Sequence, residues 1–420
     1  MLSDSDDEGA PPELCTTAYI GACATSGTAK CSRWLRACSL RQEECSLAHY
    51  GLGTKGASPL AASLALNKHL RLLDLSDNGM GAEGAAAVLA VLTRGGAPAL
   101  ASLSLSRNQA GPEGADAVGE LLRARPGHAL LQLDFSANAV GDRGARTIAD
   151  GLAENTTIDN LLLDDNGIDT EGAEHLAKAL KTNTRLRELS LEWNAIRAEG
   201  GRAIANALRD QHTLLALNLG WNGLGDDGVA AVASALTPPP GAEGAPCALS
   251  ELRLHHNRLT TQGGGALALV LGSLASLDVS GNPLGSGGAA ALLLAQQGAA
   301  APCKLVASDV CVRPESALDV LLIRASRGEA LERAELLAAG VDSLAASVLT
   351  RAVEAVRAER KKPKKGVAGQ PTEKAKKKPP AREVPTAPTR RGSARKSGDS
   401  GAEEWRRTDQ RPDLDAAAVG

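Results

Sequence analysis

The chain has 420 residues, 43% of them hydrophobic but only 2% aromatic, so its core is built from Leu, Ala and Val. Its formal net charge of −3 is the sum of unequal parts: about −12 over residues 1–356, +12 over 357–396 and −3 over 397–420. No stretch approaches the roughly 18 apolar residues of a membrane span, and the eight cysteines are dispersed, so the chain is expected to be soluble and cytoplasmic with reduced thiols.

Residues 1–13, MLSDSDDEGAPPE, are expected to be a disordered acidic N-terminus. Ser3 and Ser5 precede acidic residues there and are candidate phosphorylation sites for an acid-directed kinase. Residues 14–46 are expected to form an N-terminal helical cap. Cys23, Cys31, Cys38 and Cys45 recur in it at gaps of 8, 7 and 7. That is too wide for the paired ligands of a structural zinc site and suits small thiols packed on one buried face.

Residues 47–312 repeat. The stretch Leu186–Leu208 reads as a short strand, with Leu186, Leu189 and Leu191 on one side. A helix follows, with Ile204, Ala205 and Leu208 on one face. Neither can bury its apolar face without copies alongside. The copies align on Tyr50, Asn78, Asn108, Asn138, Asn166, Asn194, Asn222, Asn257, Asn282 and Val310, at gaps of 28, 30, 30, 28, 28, 28, 35, 25 and 28. Glycine stands six residues after nine of these ten positions, where it is expected to let the backbone turn tightly into the helix at a point where a Cβ would crowd the neighbouring rung. The asparagine amides are expected to stack as a ladder that satisfies backbone groups where the chain leaves the sheet. The fold class is therefore α/β: a right-handed solenoid of about ten strand–helix repeats with a parallel inner sheet. Pro238–Pro246 is a loop insertion that lengthens one rung.

Residues 313–360 return to helical periodicity and are expected to close the C-terminal edge. Residues 361–420 carry KKPKK, KAKKKPP and RRGSARKS, a disordered polybasic tail. That tail could bind polyanions such as nucleic acid or a tubulin surface weakly, serve in nuclear localisation, or act only as a solubilising segment. Ser393 follows Arg390-Arg391-Gly392 and is a candidate site for a basophilic kinase.

The pattern L-x-x-L-x-L-x-x-N-x-φ resembles the leucine-rich repeat of the ribonuclease-inhibitor type. The runs HYGLGTKGASPLAASL, LRLLDLSDNGMGAEGAAAV and LVASDVCV look most like the small intracellular leucine-rich repeat-containing proteins of the 74 class. The resemblance implies a horseshoe with helices outside, an intracellular binding protein, no catalytic activity, and a setting in the cytoplasm or in cilium or cytoskeleton. It has no counterpart for the basic tail. A GTPase-activating protein of the Ran type shares the repeat, but its tail is acidic where this one is basic.

Function in such a repeat is expected on the concave face, where strand residues between the leucines point outward. Asp134, Asp159, Asp164, Asp165, Glu188, Glu192, Trp193, Trp221, Arg253, His255 and His256 fall there. Trp193 and Trp221 take the same slot on adjacent rungs. Strands about 4.8 Å apart make their indoles stacked neighbours beside an acidic strip. His255 and His256, read as neighbours in a strand, are expected to face opposite ways. No phosphate-cradling loop, nucleophile–base pair or cofactor motif stands out. The sequence therefore reads as a non-enzymatic scaffold with a protein partner, no cofactor and no membrane association.

Overall fold

The computed structural model describes residues 12–124, 129–237, 247–298, 303–308 and Thr350. Ser3 and Ser5, the insertion at 238–246, the Val310 slot, the closing helices expected at 313–360 and the basic tail with Ser393 fall outside the described residues, Thr350 excepted.

Ten three-residue strands form one parallel sheet in chain order. They are β1 Glu44–Ser46, β2 Leu72–Asp74, β3 Ser102–Ser104, β4 Gln132–Asp134, β5 Asn160–Leu162, β6 Glu188–Ser190, β7 Ala216–Asn218, β8 Glu251–Arg253, β9 Ser276–Asp278 and β10 Lys304–Val306. Two helices precede β1, α1 Pro12–Ser26 and α2 Ser32–Ser39. One helix then follows each of the first nine strands, β1 to β9: α3 Gly53–Leu64, α4 Gly81–Thr93, α5 Gly111–Arg123, α6 Gly141–Glu154, α7 Thr170–Thr182, α8 Arg197–Leu208, α9 Gly225–Leu236, α10 Thr261–Ala268 and α11 Gly285–Gly298. The sheet thus begins at Glu44, ahead of the repeat boundary expected at 47, because Glu44–Ser46 already pairs with Leu72–Asp74.

The middle residue of each strand, such as Leu189 or Leu217, faces the core, and its two neighbours lie on the other face of the sheet, where Ser190 and Asn218 are nevertheless buried. Two residues further on a second apolar side chain is buried, Leu191 or Leu219, and in one rung the single phenylalanine, Phe135. Ile204 and Leu208 of α8 close the same core from the helix side. With strands this short, the repeat-to-repeat apolar burial, at roughly 25 cal/mol per Å², supplies what a lone hairpin could not. The rung from Asn257 to Asn282 is only 25 residues long, and α10 shrinks to 8 residues with a 3₁₀ turn at Leu271–Ser273 behind it.

The glycine six residues after the asparagine stands, as expected, where a Cβ would crowd the neighbouring rung, but it is not where the backbone turns. Gly200 lies in the first turn of α8, and a Cβ there would stand 3.0 Å from the Cβ of Ala173 in α7. It sets how closely successive helices pack. The left-handed turn comes three residues earlier, at positions such as Gly81 and Gly141.

At the N-terminal end α1 and α2 bury Trp34 and Tyr19 edge to ring, with centroids 6.5 Å apart. Trp34 Nε1 donates to Ser63 Oγ of α3 at 3.0 Å. Cys15, Cys23, Cys31, Cys38 and Cys45 are buried here, and the Sγ atoms of Cys15 and Cys38 lie 2.8 Å apart. That thiol contact pulls Cys15 down to about 7 and raises Cys38. Burial pushes Cys45 up to about 11 and Tyr19 up to about 12.

Candidate partner-binding site

The site is built on the asparagine ladder. All eight asparagines, from Asn78 to Asn282, are buried. Asn194 shows the wiring. Its Nδ2 donates to the carbonyls of Leu163 at 3.0 Å, Leu191 at 2.9 Å and Glu192 at 3.2 Å, while its Oδ1 accepts from the N–H of Asn166 at 3.1 Å and Ile168 at 3.0 Å. One amide thus ties its own turn to the rung before it. A second amide series, Asn155, Asn183 and Gln211, does the same where helices hand over to strands: Asn183 Nδ2 donates to Leu152 O at 2.7 Å and Asn155 O at 3.0 Å.

To bring each amide inward, the residue before it takes the left-handed backbone region. Asp77, Arg107, Ala137, Asp165, Trp193, Trp221 and His256 all have φ between 52° and 57°, and Gly281 has 65°. Their side chains therefore form one row along the edge of the sheet, rung after rung. Trp193 and Trp221 belong to this turn row and not to the strands, since β6 ends at Ser190 and β7 at Asn218. The expected stacking is present: the indole centroids are 4.1 Å apart and 12° from parallel, at 46% and 38% exposure.

The row continues further than the sequence reading carried it. His256 stacks on Trp221 with centroids 3.9 Å apart at 18°, so three rings lie face to face. A Cβ at Gly281 would stand 2.2 Å from the His256 ring; the glycine makes the space. Neither histidine lies in a strand, because β8 ends at Arg253. Their rings are 86° apart, as the turn sends His256 onto the stack and His255 over the sheet. His255 Nε2 sits 3.3 Å from Glu192 Oε1 and Nδ1 3.9 Å from Asp278 Oδ2. Gly220 leaves room for that ring, its Cβ position lying 2.2 Å from His255 Cε1.

The acidic strip divides on inspection. Asp164 is only 7% exposed; it accepts from Ser190 Oγ and from Glu192 N at 2.9 Å. It ties one rung to the next. Asp134 is used likewise, accepting from Ser104 Oγ at 2.9 Å and Ser136 N at 3.0 Å. Glu192 accepts from Asn218 Nδ2 at 2.9 Å, Glu188 from Asn160 Nδ2 at 2.9 Å, and Asp159 pairs with Arg185 at 2.8 Å. Asp165 and Arg253 remain on the surface, Asp165 next to Trp193 in the turn row.

Beside the stack lies an open groove of about 630 Å³ into which Trp221, His256, Arg197, Arg258 and Pro283 project. Sequence reasoning placed His256 on the concave face but not in the stack, and it missed Arg197 and Arg258. Two signals were present: His256 precedes Asn257 as Trp193 precedes Asn194, and Arg197 stands where other rungs carry glycine. Among the described residues no group of three or more His, Cys, Asp or Glu is placed to hold a metal ion, and no helix is long and apolar enough to cross a membrane.

The chain matches the family model for the Leucine Rich repeat over residues 66–89, 128–149, 182–205, 210–233 and 273–293. No curated protein matches it by sequence. Among solved structures, it is similar to leiomodin-1 actin-binding site 2, at 25% identity over 31% of this chain and 75% of that one, with a TM-score of 0.29. The tropomodulin C-terminal domain of Caenorhabditis elegans is 12% identical over 35% of this chain and 88% of that one, at a TM-score of 0.30. The leucine-rich repeat-containing protein LegL7 of Legionella pneumophila is 18% identical over 74% of this chain and 89% of that one, at a TM-score of 0.44.

Proposed function

We propose that this chain, a leucine-rich repeat protein, is a non-enzymatic scaffold that docks a protein partner on the turn edge of its concave face, around Trp193 and Trp221. The repeat supports the class, since a solenoid of this kind presents a long binding surface. The observation that carries the location is the three-ring stack. Two indoles and an imidazole stand face to face at the surface, whereas Trp34, Tyr19 and Phe135 are buried and Tyr50, on the first rung, is exposed. Ring stacking alone contributes about 0.5–1.5 kcal/mol per pair. Keeping the outer faces in water offsets part of that, so a partner that covers them gains the apolar area left exposed. Tryptophan so placed is the residue type that dominates interface energies.

Asp165 and Arg253 belong to the rim of this surface, where charge sets association rate more than affinity. Glu188, Glu192 and His255 hold the floor in place. A cytoplasmic setting, refined to cilium or cytoskeleton, belongs to the same proposal and rests on the resemblance of the repeats. Weak polyanion binding by residues 361–420 is a separate expectation, supported by their charge alone. Hydroxyl-radical footprinting of the full chain with and without captured partner tests the location. Protection of Trp193 and Trp221 is expected; protection confined to the helices or to Trp405 would contradict it.

A further inference from the structure

The groove beside the stack has a charge opposite to the body that carries it. Residues 1–356 total about −12, yet the groove is lined by Arg197 and Arg258 together with Trp221 and His256, and by no carboxylate. Some surface arginines of the solenoid lie against carboxylates, Arg143 at 2.9 Å from Glu113 and 3.2 Å from Asp116, Arg185 beside Asp159 and Arg202 beside Glu199. Among the described residues neither Arg197 nor Arg258 makes an ion pair. Both are exposed and both are held with positive φ, 58° and 61°. The slot of Arg197 is filled in six other rungs by glycine, at Gly53, Gly81, Gly111, Gly141, Gly225 and Gly285. A side chain in that backbone region is disfavoured, and no cap bond offsets this, since the α8 N-terminus has no side-chain cap.

We propose that this groove receives a short acidic protein segment, one that lays an apolar or aromatic side chain against Trp221 and sets carboxylates on Arg197 and Arg258. The inference rests on the docking site proposed above and names the chemistry of its partner. Charge complementarity carries it. A guanidinium takes a carboxylate through two parallel N–H···O bonds, and a neighbouring aromatic face favours an apolar residue between the acids. A long polyanion fits poorly. Nucleic acid leaving the groove would run along Asp165, Glu192 and the rest of an acidic body, where its phosphates are repelled, whereas a short segment meets only the local positive charge. Two arginines at a surface separated by the stack from that acidic strip also fix the direction in which the segment lies.

The test uses the full chain and a fluorescently labelled peptide of four glutamates around one phenylalanine, read by anisotropy. Two controls replace glutamate by glutamine or by lysine. R197G and R258G place in each slot the residue that other rungs carry there, as at Gly225 and Gly223, so the fold is kept; an unchanged thermal midpoint verifies this. Because the basic tail is present in every variant, its own attraction for the peptide cancels in the comparison. We expect the glutamate peptide to bind, and the R197G/R258G pair and W221A each to weaken it about tenfold or more, with the glutamine and lysine peptides bound less well. Equal binding to the paired variant and the wild type, equal binding of the glutamate and glutamine peptides, or a single-stranded oligonucleotide whose binding falls with the same substitutions would overturn the proposal. If partner capture falls in W193A/W221A while the glutamate peptide ignores R197G/R258G, the docking site stands and its acidic partner does not.

Discussion

The imidazole of His256 occupies the space that a Cβ at position 281 would need. With φ of 65° at Gly281 and only 2.2 Å between the ideal Cβ and His256 Cε1, the glycine is required both by its own backbone and by the ring beside it. Gly281→Ala therefore carries two costs, the left-handed backbone, about 1 kcal/mol, and the displaced ring. The variant is expected to lose stability and to tip His256 off Trp221. Adding His256→Ala should recover the part due to the clash. A G281A/H256A double variant no more stable than G281A in denaturant titration would show that the ring is not what the glycine accommodates.

Asn194→Leu removes the amide that serves Leu163, Leu191, Glu192, Asn166 and Ile168. Leucine has similar bulk but leaves buried backbone groups unpaired, each costing about 1–3 kcal/mol. A loss of at least that size is expected in urea. A loss of a few tenths would mean that water or a neighbouring amide takes over, and the ladder would not be a stability element.

The two adjacent aspartates should behave differently. Asp164 is buried against Ser190 Oγ and Glu192 N, so Asp164→Ala is expected to destabilise by about 1–3 kcal/mol. Asp165 is exposed in the turn row with φ 52°, a conformation asparagine also tolerates, so Asp165→Asn should fall within about 0.5 kcal/mol of wild type. It should change association kinetics and their salt dependence instead. Thermal midpoints of the two variants, measured side by side, decide.

The N-terminal cap should fail at high pH. Burial holds Cys45 at about 11, above the ordinary thiol value of 9.0, and Tyr19 at about 12, above the ordinary phenol value of 10.0. A group whose folded pKa is raised contributes stability that is intact below its unfolded pKa and is lost as pH rises toward the folded one. The thermal midpoint is thus expected to decline from pH 9 to 11 for Cys45, and from 10 to 12 for Tyr19. Cys45→Ala should flatten the first part of that decline. A midpoint as steep between 9 and 11 in Cys45→Ala as in wild type would assign the loss to other groups.

Much of this was legible from residue spacing. Asn78 through Asn282 announce the rungs because one amide geometry recurs at each turn, and Leu186, Leu189 and Leu191 announce the strand. The stacking of Trp193 on Trp221 follows from a shared slot. What spacing hides is how few residues each strand holds. Reading Trp193 and His255 as strand residues assumed a longer strand than Glu188–Ser190 or Glu251–Arg253 provides, and the left-handed turn that follows redirects both. Burial of Asp164 was illegible for a related reason. An aspartate two residues before the asparagine looks like surface until Ser190, on the next rung, is known to donate to it. The place of His256 in the stack was hidden by reading it as a strand residue, and Arg197 by its slot, three residues after the asparagine, which other rungs fill with glycine.

The two tryptophans bear most directly on the proposed function. Trp193→Ala with Trp221→Ala in the full chain removes the stacked indoles without touching Asn194 or Asn222, and both side chains lie outside the buried core. Affinity-purified partners of wild type and double variant, quantified together with the thermal midpoint of each, give the answer in one comparison. We predict that capture falls about tenfold or more at a nearly unchanged midpoint. Capture that is undiminished, or that falls only as far as the midpoint does, would make the stack a structural cover and contradict its role as the docking site.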